Sequence, residues 1–118
     1  MTIDERASNG VSILVVRGRM TVDDQGDVLV VDRVRQLSRD GQKHILVDLA
    51  AVPYVDTTGL RDIVEAYITS RRQGGHVKLL NPTPRVRHLL VITRLLTVIE
   101  AFDSEADAIA SFGPSAPA

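Results

Sequence analysis

Near the middle of the 118-residue chain, an acid, two hydroxyl residues and a glycine follow one another as Asp56-Thr57-Thr58-Gly59, with Leu60 next. A threonine hydroxyl at this place could accept a phosphoryl group, or it could only cap a helix. The first N–H groups of a helix have no partner within the helix, and the macrodipole adds positive charge at that end. The segment therefore suits a phosphate as well as a cap, and the local pattern leaves both roles open.

The residues on either side of this segment predict the two elements that position it. Residues 44–49 are almost continuously apolar, which is typical of a central strand buried on both faces. After the glycine, large apolar residues recur at the spacing of one helical face: Leu60, Ile63, Val64, Tyr67 and Ile68. This helix is expected to run to Gln73, because basic residues suit its last turn and glycines follow them: Arg71, Arg72, Gly74 and Gly75.

The rest of the chain predicts strands and helices in regular alternation. A strand over residues 2–7 is expected to turn at Asn9-Gly10 into a second strand over residues 11–17. A helix over residues 24–39 follows, with one apolar face made of Val30, Val31, Val34 and Leu37. The remaining elements are a strand over 76–80, a helix, a strand over 97–102 and a last helix that opens at Asp103-Ser104-Glu105.

The third helix has a well-marked start. Thr83 is expected to be its N-cap and Pro84 its first helical residue, where a missing N–H costs nothing. Its inward positions are predicted to be Val86, Leu89, Leu90 and Thr93.

This alternation predicts a single α/β domain. Strands joined through helices form right-handed crossovers, so the sheet should be mixed and mainly parallel, with about five strands, about four helices and at least one antiparallel edge. We expect the domain to span residues 1–112 and residues 113–118 to form a disordered tail, since the tail is rich in Pro, Ala and Ser. In open sheets of this kind the functional crevice lies beyond the carboxyl ends of the strands, where the Asp56 loop is expected.

Composition and charge exclude several classes of protein. A net charge of −1 indicates no general affinity for nucleic acid or an anionic membrane, and the absence of cysteine excludes a disulfide framework and a thiolate metal site. Residues 1–6 lack the apolar core of a signal peptide, and the longest apolar stretch, residues 89–99, is too short to span a bilayer. We therefore expect a cytoplasmic protein that contacts neither membrane nor nucleic acid.

Other chemically interesting residues have simpler explanations. The three histidines lack the spacing of metal ligands, so no metal site is expected: His44, His76 and His88. Three acids are interpreted as helix-start residues of the first helix: Asp23, Asp24 and Asp27. The basic residues of the third helix read as a solvated face, because no aromatic platform accompanies them: Arg85, Arg87, His88 and Arg94. Phosphate-binding and dinucleotide-binding glycine motifs are missing, so we expect no cofactor.

Short motifs spread along almost the whole chain carry a family resemblance. They are Val15-Val16-Arg17-Gly18-Arg19-Met20, Val47-Asp48-Leu49, Val55-Asp56-Thr57-Thr58-Gly59-Leu60, Gly74-Gly75, Pro84-Arg85-Val86-Arg87-His88-Leu89-Leu90 and Ser104-Glu105-Ala106-Asp107-Ala108. On these residues the chain resembles the STAS domain family, most closely its small stand-alone anti-sigma factor antagonists.

The resemblance implies a non-enzymatic, STAS-like domain that binds an anti-sigma factor which is itself a serine/threonine kinase. It implies that Thr57 is the phosphoacceptor, that phosphorylation ends the binding, and that a phosphatase restores it. Asp56, Thr58, Gly59 and Leu60 would then shape the loop that the kinase contacts.

Three positions depart from the family pattern. Thr21 stands where the family usually has an acid, Thr57 where it most often has a serine, and Arg94 where it commonly has a glycine that ends the third helix. Position 94 therefore either needs left-handed backbone geometry or has shifted relative to the family's glycine.

Two other functions stay open. The domain could be a STAS subunit of a transporter or a stressosome-type complex, acting as a docking module without phosphorylation. An enzyme with Thr57 as nucleophile is disfavoured, since no base can be placed beside it. The oligomeric state is not predicted.

Overall fold

The computed structural model of the protein describes residues 1–24, 26 and 28–113. Five strands alternate with four α-helices over these residues: β1 Thr2–Ser8, β2 Val11–Arg17, α1 Val30–Arg39, β3 His44–Ala51, α2 Thr57–Arg72, β4 His76–Leu80, α3 Pro84–Ile92, β5 Ala101–Phe102 and α4 Glu105–Ser111. Short 3₁₀ turns lie at Val22–Asp24 and Leu95–Thr97. Of the predicted tail, residues 114–118 lie outside the described residues, so the domain boundary stays a prediction.

The strands form one sheet in the order β1-β2-β3-β4-β5. The predicted hairpin is confirmed: β1 and β2 are antiparallel, and Asn9 and Gly10 both have positive φ, at 49° and 80°. All later neighbours are parallel, and β3 is the central strand. The expectation of a mixed, mainly parallel sheet with one antiparallel edge is therefore confirmed.

The helices cover the two faces of the sheet unequally. Buried residues of α1, α2 and α3 share one large cluster with the sheet, including Val34, Ile63 and Leu90. The other face has a smaller cluster, in which α4 places Ala108 against Ile13 and Leu46. The four apolar residues predicted for the inner face of α1 are all buried.

The first helix is shorter than predicted. Residues 24–39 were expected to be helical, but α1 begins at Val30, and Asp23 and Asp24 lie in the preceding 3₁₀ turn. Gly26 interrupts the segment with a φ of +74°, outside the right-handed helical region. Asp23 and Asp24 are thus not acids of the α1 N-terminus, and Asp27 lies outside the described residues.

The fifth strand is also shorter than predicted. The strand expected over residues 97–102 is limited to Ala101–Phe102. Local hydrogen bonds hold the residues before it in a turn, since the Thr97 hydroxyl donates to Arg94 O at 2.6 Å and Ile99 N donates to Leu95 O at 2.8 Å. Arg94 has a φ of 62°, so of the two alternatives for position 94 the structure has the left-handed geometry.

Caps mark the later helices as predicted. Thr83 Oγ1 accepts from Val86 N at 3.3 Å, and Pro84 is the first residue of α3. Thr93 was expected to face inward, but it is exposed, and its hydroxyl donates to Leu89 O at 2.7 Å.

The buried face of α2 differs from the predicted one. The residues that are fully buried are Gly59, Asp62, Ile63, Ala66 and Ser70, whereas Ile68 is 40% exposed. Most of these residues are small, so the helix lies close to its neighbours, and the larger Leu60 and Tyr67 pack at the border of the core. The predicted inner face of α2 was based on the spacing of large apolar residues, and it was wrong by part of a helical turn.

Candidate functional site

The Asp56 carboxylate organises the loop between β3 and α2. One oxygen, Oδ1, accepts from Gly59 N at 3.0 Å and caps α2, and the other, Oδ2, accepts from Val22 N at 3.0 Å. Backbone bonds join the same two segments, since Met20 N donates to Tyr54 O at 3.0 Å and Asp56 N donates to Met20 O at 3.1 Å. One side chain thus caps the helix and ties it to the loop after β2.

The pKa of Asp56 is lowered by the N–H group of Val22 first and by that of Gly59 second. Hydrogen bonds to the charged form of a carboxyl favour that form. Asp56 is therefore a fixed negative charge beside the two threonines at neutral pH.

Gly59 is required by close packing at this point. A Cβ atom on Gly59 would lie 2.1 Å from Met20 O and 2.8 Å from Val55 Cγ1. Both distances are far below van der Waals contact, and the first involves backbone that is held in the bonds described above. The glycine permits the first turn of α2 to touch the loop after β2.

The two threonines point into different surroundings. Thr57, the first residue of α2, is exposed, whereas Thr58 is half-buried. Thr58 lines a cavity of about 10 Å³ together with Thr21 and Asp62, which is about the space of one water molecule. Of the two hydroxyls, that of Thr57 is the accessible one.

Thr21, at the position where the family usually has an acid, is buried at 7% exposure. Its Oγ1 atom has no hydrogen-bond partner among the described residues. A carboxylate at position 21 would add a second negative charge to the cavity that Asp62 lines, and like charges at such a distance oppose ionisation. Threonine at this position avoids that repulsion.

Sequence reasoning missed Asp62, the most informative buried polar residue near the site. It is 4% exposed, and its carboxylate accepts from Val30 N at 2.9 Å and from Val31 N at 2.8 Å. An acid of α2 therefore caps α1. The signal that could have found it is the stripe of small residues on α2 in which it lies.

Burial raises the pKa of Asp62, against the opposing effect of the N–H groups of Val31 and Val30. The nearby charges of Asp32 and Glu65 act in the same direction as burial. Asp56, the N-cap of α2, and Asp62, within α2, thus have pKa values shifted in opposite directions.

Two exposed apolar side chains, which we call the apolar rim, lie beside the loop. Val22 is 63% exposed and Tyr54 is 38% exposed. The guanidinium of Arg85, at the start of α3, lies 4.6 Å from the centre of the Tyr54 ring, so it forms a cation–π contact instead of a purely solvated face. Leu60 is half-buried and packs against the core.

Within residues 1–24, 26 and 28–113, no group of three acidic or histidine side chains is placed to hold a metal ion. None of the helices in that part of the chain is long and apolar enough to cross a membrane.

Comparisons with known proteins relate the chain and its fold to one family. The chain is 24% identical to the anti-sigma F factor antagonist of Paenibacillus polymyxa over 98 residues, which cover 82% of this chain and 84% of that protein. It is 32% identical to the high affinity sulfate transporter 1 of Stylosanthes hamata over 79 residues, 64% of this chain, and spans only 12% of the transporter. The crystal structure of an anti-sigma factor antagonist from Mycobacterium paratuberculosis superimposes with a TM-score of 0.80 at 19% identity, covering 93% of this chain and 92% of that chain.

The family model of the STAS domain matches residues 3–108, which is nearly the whole of the described chain. The match includes the Asp56 loop, the central strand and all four helices except the end of α4. The chain therefore belongs to the STAS domain family.

Proposed function

We propose that the protein is an anti-sigma factor antagonist that binds a kinase-type anti-sigma factor through the loop at the start of α2, and that phosphorylation of Thr57 ends this binding. The observation that carries the proposal is that Thr57 presents an exposed hydroxyl on the first turn of α2, directly after an acid whose carboxylate is held by the backbone. A kinase can reach this hydroxyl without opening the fold.

The loop residues have distinct roles in this proposal. Asp56 holds the loop in shape and presents a negative charge, Gly59 permits the turn, and Leu60 anchors it to the core. Thr58 supports the loop from the cavity side. The contact surface for the kinase is then Thr57 with the apolar rim of Val22 and Tyr54.

Electrostatics explain how one phosphate would end the binding. A phosphothreonine carries about −1.5 to −2 charges at neutral pH and would lie beside the ionised Asp56. A partner surface that is apolar or acidic at this point would be repelled or left with a desolvated charge. The N-terminus of α2 tolerates the added charge, so the domain keeps its fold in both states. Removal of the phosphate by a phosphatase restores the binding surface.

Direct phosphorylation tests the proposal. The purified protein is incubated with ATP and the kinase-type anti-sigma factor of the same genome, and intact mass with site mapping is expected to find one phosphate on Thr57. Thr57→Ala should abolish the added mass, and Thr58→Ala is the matched control that should keep it. Thr57→Glu should weaken binding to the kinase, measured by calorimetry. Two results together would contradict the switch: no phosphate on the protein after incubation, and kinase binding by Thr57→Glu as tight as by the wild type.

The stability of Thr57→Ala distinguishes a phosphorylation site at Thr57 from a structural helix-capping role. Because Asp56 supplies the N-cap, Thr57→Ala should change the free energy of unfolding by no more than about 0.5 kcal/mol. A loss above about 2 kcal/mol, the upper range for an N-cap residue, would make Thr57 mainly structural.

The likeness to a sulfate transporter supports a second candidate, a docking module of a transporter or stressosome-type complex. In that role the same loop would bind its partner without phosphorylation. Affinity capture from the native cell distinguishes the two, because the first function requires a kinase-type anti-sigma factor in the captured complex.

A further inference from the structure

We propose that the groove between the C-terminal halves of α1 and α2 binds a small phosphate-bearing anion. The groove has a volume of about 300 Å³ and is lined by Arg35, Ser38, Arg39, Thr69, Arg72 and Gln73; we call these residues the arginine groove. It is distinct from the kinase-binding loop, since α2 separates Thr57 from Arg72 by 15 residues, or about 22 Å of helix.

The chemistry of the lining is one-sided. All six side chains of the arginine groove carry hydrogen-bond donors, and three of them are guanidinium groups. None is a carboxylate, although the chain as a whole has a net charge of −1. Planar, forked guanidinium groups match the oxygens of phosphate better than any other side chain. The arginine groove is therefore complementary to a compact, multiply charged oxyanion.

Most of this positive charge is free to meet a ligand. Arg39 and Arg72 form no ion pair with any described residue. Arg35 pairs with Asp32 at 3.2 Å, but both side chains are largely exposed, and such a pair contributes little. The adjoining recess along the same helices shares Arg35, Thr69 and Arg72 and adds the acid Glu65.

Helix electrostatics account for only part of this cluster. Arg39 and Arg72 lie in the last turns of α1 and α2, where each helix end carries about half a negative charge. Three guanidinium groups exceed the charge of these two ends, and Arg35 lies a turn earlier. The helix ends therefore leave a positive excess in the arginine groove.

A buried hydroxyl points to an acceptor that the chain itself does not supply. Ser38 Oγ is buried and has no hydrogen-bond partner among the described residues. A buried hydroxyl without a partner is costly, and rotation of the Ser38 side chain toward the groove would let an oxyanion there accept its hydrogen. The volume is at the lower end of the range for ligand sites, which suits a pyrophosphate-sized group more than a large ligand.

Calorimetric titration of the full chain with pyrophosphate at low ionic strength tests the proposal. Saturable binding is expected, with orthophosphate weaker because it carries fewer charges. Arg72→Ala should weaken pyrophosphate binding about tenfold, as expected for a lost charge-assisted hydrogen bond. Arg71→Ala is the matched control, since Arg71 is the neighbouring residue of the same turn but contacts His76 Nδ1 at 3.1 Å and does not line the groove.

Each outcome decides the proposal. Loss of binding in Arg72→Ala with nearly unchanged binding in Arg71→Ala supports a defined site. Equal losses in both variants would mean general attraction to positive charge and would overturn it, as would the absence of saturable binding at millimolar pyrophosphate. A parallel titration with ADP distinguishes free pyrophosphate from a nucleotide as the ligand. If ADP binds more tightly than pyrophosphate, the groove recognises the phosphates of a nucleotide. Circular dichroism of both variants checks that they fold.

Discussion

Asp56, the N-cap of α2, and Asp62, within α2, lie six residues apart and have pKa values shifted in opposite directions. Each carboxylate accepts two backbone N–H groups at distances of 2.8 to 3.0 Å: those of Val22 and Gly59 at Asp56, and those of Val30 and Val31 at Asp62. Asp56 is partly exposed at the N-terminus of α2, and its pKa is lowered. Asp62 is buried at the end of α1, and its pKa is raised.

Burial is the physical difference between the two acids. At Asp56 water still solvates the charge, so the N–H groups stabilise the ionised form without opposition of similar size. At Asp62 the loss of hydration outweighs the same number of N–H groups. Hydrogen bonds of equal geometry thus do not predict the direction of a pKa shift.

The two helix N-termini differ in use as a result. The N-terminus of α1 is closed by an acid from another helix, so it contributes to the packing of α1 on α2. The N-terminus of α2 is capped by its own N-cap residue, Asp56, and leaves Thr57 exposed. The first end is structural, and the second is available for recognition.

The largest expected effect is at the exposed N-terminus of α2, where Gly59→Ala would press a Cβ atom against Met20 O. Because the obstacle is backbone, we expect a loss of about 3 kcal/mol or more in the free energy of unfolding, at or above the usual cost of overpacking. Gly41→Ala is the control, since Gly41 has open space around it and only a φ of +85° to oppose alanine, at about 1 to 2 kcal/mol. Urea unfolding measures both, and equal losses would show that close packing at Gly59 is unimportant.

Asp62→Ala tests the structural role of the buried N-terminus of α1. It leaves the N–H groups of Val30 and Val31 buried without acceptors, and we expect a loss of about 2 kcal/mol. Asp62→Asn is the matched variant and should lose less, because its carbonyl still accepts one of the two bonds. Kinase binding per folded molecule should stay unchanged in both, whereas Asp56→Ala should weaken it. If fully folded Asp62→Ala bound the kinase more weakly than the wild type, the distinction between the N-termini of α1 and α2 would be wrong.

The smallest effect is the pH dependence, which should have opposite signs at the two acids. The contribution of Asp56 is present above its unfolded pKa of about 3.8 and is lost as the pH falls through its lowered folded pKa. That of Asp62 is greatest below about 3.8 and declines as the pH rises through its raised folded pKa. The stability difference between wild type and Asp56→Asn should therefore shrink on acidification, while that for Asp62→Asn should grow. Urea unfolding from mildly acidic to strongly acidic pH measures this, and a common sign would refute the burial argument.

Local sequence was sufficient wherever local chemistry decides the structure. The hairpin at Asn9-Gly10 and the cap at Thr83 were predictable, because turn and cap preferences act over a few residues. The left-handed geometry at Arg94 was suggested only by the family pattern. The start of α1 was not predictable, because an acid 32 residues later in the chain supplies its cap. The inner face of α2 was placed incorrectly because small residues, and not large ones, lie closest to its neighbours.

By itself, the sequence determined the order of strands and helices, the mainly parallel sheet and the position of the Asp56 loop at a strand-to-helix junction. Short-range hydrogen bonds and the spacing of apolar residues carry that information. The tertiary structure alone decided which threonine is exposed, that Gly59 must lack a side chain, and that Asp62 caps a different helix. Those features depend on contacts between segments distant in sequence, where burial and close packing set both the space and the charge that each residue can have.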